Sequence, residues 1–395
     1  MTSAKHTTFV DISQFASEPY ATGVQRVVRG LLEHFPDEQL EPIIGFLAGP
    51  NYHIVEMAVA VEALGEAFSS SSGPDAAKRC LSSSVKSSLP PPALPHIADA
   101  YLLPEPTFRP DVLVQAETWG RDNPRRTFAI VCDALPQLEP WAFHGPEQSG
   151  TSPYFRLVAS LQNVAAISEH ALGQVARTAQ GRVGDNWIVA SPGADSMAES
   201  DPRSLSHDPH GQLEANSFVA LGTVEPRKRL DLVLDSFEFL WQQGGSQKLT
   251  VVGRPGWASP TLVARLEALV AEPDSRVTWI RACTDSELVR ILSSATGLLY
   301  LSENEGYGLP PLEALQLGCP VIVGSQLPAL GVIGDAGQIR IDDLTPQRVA
   351  AAVATLEDTE SNRAMRAELD GLALPTWQSF GATIGGWITG ALPSS

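Results

Sequence analysis

The chain has 395 residues, 43% of them apolar, a formal net charge of −18 and a sequence pI near 4.8. That length suits two domains, each with a core of its own, and a mean hydropathy of −0.02 describes a soluble globular protein. The acidic balance argues against nucleic acid, whose phosphates call for a basic footprint. The excess is even, with 14 basic against 23 acidic residues through Arg203 and 13 against 22 beyond it. Neither half therefore reads as an electrostatic docking domain, which leaves at most a weak peripheral association with a membrane. No run of about 18 uninterrupted apolar residues is present to span one. The first residues lead straight into a strand without an apolar signal region. Cys80, Cys132, Cys283 and Cys319 lack metal-ligand or redox spacing, and a reducing cytoplasm is the expected home.

Short apolar runs alternate with helical patterns from end to end, the sign of parallel α/β architecture. Residues 8–12 read as a first strand. Thr22 reads as a helix N-cap before an amphipathic helix over 23–34, with Val24, Val27, Val28, Leu31 and Leu32 on one face. Residues 68–106 carry Ser69 to Ser72 and Pro90 to Pro92 and read as a mobile Ser/Pro-rich insertion with room for one helix. Strands are expected at 110–115, 127–132, 164–168 and 187–189. Arg121, Arg125 and Arg126 read as a solvated turn. The polar stretch 195–216 is the best domain boundary. Beyond it come a strand at 218–221, a helix at 230–242, and strands at 249–252, 277–280 and 298–301. A helix is expected near the end, at 377–388.

Three segments follow strands in the second half, and ligands of open parallel sheets collect beyond such carboxyl ends. Gly222-Thr-Val-Glu-Pro-Arg-Lys-Arg229 joins a strand to a helix, and Lys228 there can bring an ammonium against a diphosphate. Val251-Val-Gly-Arg-Pro-Gly-Trp257 is a second turn, with Arg254 as a further cation; alone it is a weak signal, since no full G-x-G-x-x-G is present. Arg281-Ala-Cys-Thr-Asp285 is the third, with Thr284 or Asp285 as a helix cap.

The most informative stretch is Ser302-Glu-Asn-Glu-Gly-Tyr-Gly-Leu-Pro-Pro-Leu-Glu313, which runs on to Gly318. It sets Glu305 and Glu313 across a glycine-bearing turn that opens a helix. Pro310 and Pro311 suit its first positions, Gly318 closes it, and 319–323 reads as a buried strand. Orphan N–H groups and the dipole at such a helix start hold anions. Glu313, placed inside the first turn, could bind hydroxyl groups. Phosphate and hydroxyls held together are what a sugar nucleotide needs.

This stretch resembles the E-x7-E signature of retaining glycosyltransferases of the GT-B fold, most closely glycosyltransferase family 4. The resemblance implies two Rossmann-like doubly wound domains facing across a cleft. Residues 1–205 would bind the acceptor, 206–376 would bind the nucleotide sugar, and the helix in 377–395 would pack back on the first domain. It implies that Glu305 lies beside the donor sugar, that the backbone of Gly306, Tyr307, Gly308 and Leu309 touches sugar and diphosphate, and that Glu313 holds the ribose. Lys228 matches the phosphate-binding lysine. Family members often carry Arg directly after the glycine of that turn; here Thr223 stands there, so Arg227 or Arg229 must supply the second cation. The loop holding Cys283 resembles the one whose backbone reads the base.

In the first half, Val10-Asp-Ile-Ser-Gln14 and Thr22-Gly-Val-Gln-Arg26 are similar to a bacterial subgroup that makes O-antigen and other surface polysaccharides. There Gly23 would let the backbone approach the donor, and Asp133, in Ile130-Val-Cys-Asp-Ala-Leu-Pro136, would contact the acceptor hydroxyl; a structural cap is its plain alternative. One departure stands out: Leu330-Gly-Val-Ile-Gly-Asp-Ala336 has Gly331 where the family usually has Glu. The expected activity is transfer of a sugar from a nucleotide-diphosphate sugar to a glycan or lipid-linked acceptor. GDP-mannose is favoured, with dTDP-rhamnose and UDP-sugars behind it, and neither cofactor nor metal is expected. The alternatives are an epimerase or other GT-B enzyme, and a nucleotide-sugar-binding pseudoenzyme.

Overall fold

A computed structural model describes residues 5–20, 22–69, 72–140, 146–195, 216–256 and 260–393. The chain divides into two compact units, residues 1–193 with 375–395, and residues 194–374. Most of the expected boundary segment, 196–215, lies outside the described residues, as does Trp257.

The first unit is built on an eight-stranded sheet. Its strands are β1 (His6–Asp11), β2 (Leu40–Ala48), β3 (Asn51–Val55), β4 (Ser87–Leu89), β5 (Ala100–Leu103), β6 (Thr127–Val131), β7 (Asn163–Ala166) and β8 (Asn186–Val189). Their order is β4-β3-β2-β1-β5-β6-β7-β8, parallel except for the antiparallel pairs β2-β3 and β3-β4 at one edge. The central strands are apolar on both faces, as helices on either side of a parallel sheet require; Phe9, Val10, Phe128 and Ile130 are fully buried. The order reverses between β1 and β5, the doubly wound switch point of this sheet.

Helix Gly23–Glu33 follows β1, capped by the Thr22 hydroxyl, which accepts from the Gln25 N–H at 3.3 Å. It buries Val27, Val28, Leu31 and Leu32, while Val24 is only half-buried. Gly30 on this helix is required by close approach: a Cβ there would lie 2.2 Å from the Trp377 ring. Trp377 begins the last helix, Trp377–Ala391, which returns to the first unit and donates from Trp387 Nε1 to the Asn186 carbonyl at 3.0 Å.

Two expectations are corrected here. Residues 72–106 form a helix, two strands and a 3-10 turn of the first unit rather than an insertion with a single helix. Helix Gly73–Ser83 buries Ala77 and Leu81, β4 pairs with β3 at the sheet edge, and Pro91–His96 forms a 3-10 turn. Ser and Pro enrichment marks a solvated edge and a proline-started turn. It also hid β5, the central strand Ala-Tyr-Leu-Leu, which pairs with both β1 and β6. Residues 110–115 are the start of helix Pro110–Asp122, not a strand. Pro110 begins it, and Val112, Leu113, Ala116 and Trp119 recur at helical spacing on its buried side.

The second unit holds a six-stranded, wholly parallel sheet: β9 (Ser217–Leu221), β10 (Lys248–Val252), β11 (Val277–Ile280), β12 (Gly297–Tyr300), β13 (Val321–Gly324) and β14 (Gln338–Ile341). The order β11-β10-β9-β12-β13-β14 reverses between β9 and β12. Helices Leu230–Gln242 and Pro346–Glu357 cover one face, burying Leu234, Phe237, Val349 and Val353 against Phe218 and Leu299.

Candidate functional site

The switch point between β9 and β12 brings together the loops that leave those two strands. After β9 the chain turns at Gly222, whose N–H donates to the Val252 carbonyl at 2.9 Å. The next loop is tied to it, since Val224 N–H donates to the Arg254 carbonyl at 3.0 Å and Gly256 N–H to the Val224 carbonyl at 3.1 Å. Pro226–Lys228 then forms one 3-10 turn before Arg229, in the left-handed region, starts helix Leu230–Gln242. This short turn aims Arg227 and Lys228 across the switch point. The Glu303 N–H and the Ser302 hydroxyl both donate to the Arg227 carbonyl, at 2.9 and 3.3 Å, which locks the two loops together.

Glu305 is the centre of the resulting cluster. Its Oε2 lies 2.9 Å from Arg227 Nη1, and its Oε1 accepts from Lys228 Nζ and, at 2.8 Å, from the Tyr300 hydroxyl. Lys228 Nζ also donates to the Tyr300 oxygen at 2.6 Å and stands 4.7 Å from the centre of that ring. Arg227 Nε is 2.7 Å from Glu225 Oε1, so two cations face two carboxylates. Burial alone would raise the Glu305 carboxyl, but the charges of Arg227 and Lys228 outweigh it and hold the group well below the usual carboxylate range. Burial pulls the Lys228 ammonium down, against the pull of Glu305. The Tyr300 phenol is kept protonated by burial and by the Glu305 charge. Two of the three ammonium N–H groups of Lys228 are thus engaged, and the third has no partner among the described residues.

Glu305 leads directly into the glycine turn that opens helix Leu309–Gln316. Gly308 caps helix Leu309–Gln316 at φ +106°, and a Cβ there would come within 2.8 Å of Leu327, so only glycine fits on either ground. Among the described residues, the N–H groups of Gly308 and Leu309 have no protein acceptor. Gly306 and Tyr307 are buried, and the Tyr307 carbonyl accepts from Ala329 N–H at 2.9 Å. Glu313 is corrected in one respect. Because the helix opens at Leu309, Glu313 falls in the second turn rather than the first, and it is only 2% exposed. A small pocket opens beside the cluster, lined by Gly222, Lys228, Leu230, Val251, Tyr300 and Ser302.

The two candidates for the second cation separate cleanly. Arg227 joins Glu305, whereas Arg229 pairs with Glu303 and Asp231. Arg254 is exposed on the loop after β10, and Cys283, half-buried, precedes helix Asp285–Ser294 beyond β11. The cap there is Thr284, in a capping box with Glu287. Both loops leave the same sheet edge as the cluster.

Gly23 and Asp133 belong to the first unit. Gly23 is exposed at the helix start, with nothing within 4 Å of a Cβ built there. Asp133 follows β6, and its carboxylate accepts from Leu135 N–H at 3.0 Å, just before the short helix Leu135–Leu138. The switch point of this sheet holds its own polar network. Asp11 accepts from Ser13 N–H at 2.9 Å, from Tyr52 at 3.0 Å, and from the Ser13 and Tyr101 hydroxyls. Nearby, Glu105 accepts from Phe15 N–H at 2.8 Å; burial pushes its carboxyl up to about 8, with Asp11 and Glu18 adding to the rise. Gln14 Oε1 accepts from Thr107 and from Phe108 N–H at 3.1 and 3.0 Å.

Sequence reasoning missed Glu225 and Tyr300. Glu225 lies inside the turn already singled out, but a carboxylate there has no meaning until Arg227 is seen to face it. Tyr300 gives no signal: it is one more apolar-looking residue at the end of a buried strand. Among the described residues, no group of three or more His, Cys, Asp or Glu is placed to hold a metal ion. Nor is any helix among them long and apolar enough to cross a membrane.

Two doubly wound units with this site at a switch point define the GT-B fold, and comparison with solved structures agrees. Anabaena Alr3699/HepE, solved in complex with UDP and glucose, superposes with a TM-score of 0.63 over 98% of this chain and 100% of that one at 14% identity. WaaG, a glycosyltransferase involved in lipopolysaccharide biosynthesis, gives a TM-score of 0.55 over 97% of this chain and 100% of its own at 16% identity. Residues 205–369 match the sequence profile of the family described as Glycosyl transferases group 1. Over 375 residues the chain is 26% identical to the serotype-specific mannosyltransferase WbdA of Escherichia coli, covering 87% of this chain and 42% of that protein. It spans about two fifths of the length of such relatives. A shorter stretch of 115 residues, 27% of this chain and 28% of the other, is 39% identical to the human alpha-1,3/1,6-mannosyltransferase ALG2.

Proposed function

We propose that this chain is a retaining, metal-independent glycosyltransferase that moves a hexose, mannose in preference, from a nucleotide-diphosphate sugar to a hydroxyl of a glycan or lipid-linked acceptor in surface polysaccharide synthesis. The observation that carries the reading is the meeting of Lys228, Arg227 and Glu305 beside the N–H groups of a helix start, at a sheet switch point. The preference for mannose is supported by the mannosyltransferase names of WbdA and ALG2.

In this mechanism the sugar–phosphate bond breaks toward the nucleoside diphosphate. Oxocarbenium character develops at the sugar and negative charge at the phosphate. Lys228, Arg227 and the Gly308 and Leu309 N–H groups stabilise that charge in a fixed, mostly dry setting, where such donors act most strongly. The acceptor hydroxyl attacks from the face the diphosphate leaves, and its proton passes to the departing phosphate. Glu305, spread between two cations, orients the sugar and is not the nucleophile. Glu313 serves the ribose hydroxyls, Arg254 the diphosphate and the backbone at Cys283 the base. In the first unit, Gly23 admits the donor and Asp133 contacts the acceptor hydroxyl. The setting is the bacterial cytoplasm.

A second reading has two observations in its favour: Lys228 is already paired with Glu305, and Thr223 stands where a second cation is usual. That describes a nucleotide-sugar-binding pseudoenzyme. One assay separates the two. Melting is followed with GDP, UDP and dTDP, where the preferred ligand raises the midpoint by mass action. Diphosphate release from the matching sugar nucleotide is then measured with candidate acceptors. Acceptor-dependent release is expected. Binding without release favours the pseudoenzyme, and neither binding nor release rejects both readings.

A further inference from the structure

Tyr300 lies in none of the motifs discussed above, yet its side chain touches two of the residues on which the site depends. It ends the buried strand Gly-Leu-Leu-Tyr and is only 3% exposed. Its hydroxyl donates to Glu305 Oε1 at 2.8 Å and accepts from Lys228 Nζ at 2.6 Å, and its ring lies 4.7 Å from that nitrogen. We propose that Tyr300 is a positioning residue for the donor: its phenol fixes the Lys228 ammonium so that the one unused N–H faces the diphosphate. The proposal rests on the nucleotide-sugar reading of the site.

An ammonium is a point charge with three rotatable donors on a flexible four-carbon stem. With Glu305 as its only acceptor it would pivot about the carboxylate, and its remaining donors would have no set direction. A second acceptor on a rigid strand removes that freedom, because two fixed N–H bonds at a tetrahedral nitrogen determine the third. A phenol suits the task because it donates and accepts at once. Burial and the Glu305 charge keep it from ionising, so it adds no charge to a balanced cluster. A phenylalanine would keep the ring under the ammonium and lose only the oxygen, which isolates the hydrogen bonds from the packing.

Isothermal titration of the full chain with GDP, UDP and dTDP tests this, using wild type, Tyr300→Phe, Lys228→Met and the double variant. Tyr300→Phe is expected to weaken the nucleoside diphosphate that the wild type binds by about tenfold, the usual scale of a hydrogen bond to a charged group. In the Lys228→Met background the same change is expected to cost less than about twofold, since a positioning residue has nothing left to position. Donor KM should rise more than kcat falls. Affinity within about twofold of wild type in Tyr300→Phe, or an equal loss in both backgrounds, overturns the proposal and leaves the site reading intact. A wild type that binds none of the three overturns both. Should Tyr300→Phe fail to fold, Tyr300→Leu removes the same oxygen and is held to the same outcomes.

Discussion

Glu305 is a carboxylate that its surroundings would protonate if two cations did not hold it charged. Its folded-state value is depressed, so its stabilisation is present above the ordinary glutamate range and is lost as pH falls through the folded value. Glu305→Gln leaves Lys228 and Arg227 buried without their common counter-charge. Breaking one partner of a buried pair costs on the order of 3 kcal/mol. Urea denaturation at pH 7 should show a loss of that order, and the gap between wild type and variant should begin to narrow below about pH 4 and keep shrinking as pH falls toward the depressed folded value. An equal gap at pH 3 and pH 7 would rule the ion cluster out as its cause. Glu105 behaves with the opposite sign. Its folded value is raised to about 8 by burial, so its contribution is complete below the unfolded glutamate value and is lost as pH rises toward 8. Between about pH 5 and pH 8 the wild type should lose stability relative to Glu105→Gln, by up to about 1.4 kcal/mol per pH unit. Parallel stability curves across that window would show that Glu105 is charged in the folded chain.

At the scale of elements, the pairing of helix Gly23–Glu33 with helix Trp377–Ala391 depends on one missing methyl group. A Cβ at residue 30 would lie 2.2 Å from the fully buried Trp377 ring, with no flexible chain end to yield. Gly30→Ala should therefore destabilise the fold by about 1–3 kcal/mol despite alanine's better helix propensity. A denaturation midpoint at or above that of wild type would show that the last helix shifts at no cost. Elements whose patterns agree with their place were legible in the sequence. The helix at 23, the strand–turn–helix around Lys228 and the Pro-started helix after Gly308 all carry their own caps or punctuation. Elements that took their identity from neighbours were not. β5 is four residues long, and only its seat between β1 and β6 makes it a central strand. Val112, Leu113 and Val114 fit a strand as well as a helix, and only Ala116 and Trp119 further along decide between them. β3 turns back on β2 as a hairpin and β4 joins its edge only after two helices, which short polar runs do not announce.

Across the whole molecule, both sheets reverse their strand order once, and both reversals gather buried ionisable side chains. In the first unit the Asp11 and Glu105 carboxylates are held by partners from the protein itself, and the loops there are closed against one another. In the second, the cluster of Glu225, Arg227, Lys228 and Glu305 also balances its charges, but Lys228 keeps one donor in hand beside a helix start. The sequence shows the ends of this arrangement, a lysine after one strand and a glutamate after another. It does not show that Tyr300 and Glu225 join them, because that depends on which strands become neighbours. The −18 net charge makes the local cations at this edge the more telling. Lys228 is therefore the residue on which the account turns, and nucleoside diphosphate release from the preferred sugar nucleotide, compared between wild type and Lys228→Ala, tests it most directly. Loss of a charge-assisted hydrogen bond worth roughly 1.5–3 kcal/mol predicts turnover reduced by about tenfold to more than a hundredfold. Turnover within about twofold of wild type, in a variant that remains folded, would contradict it.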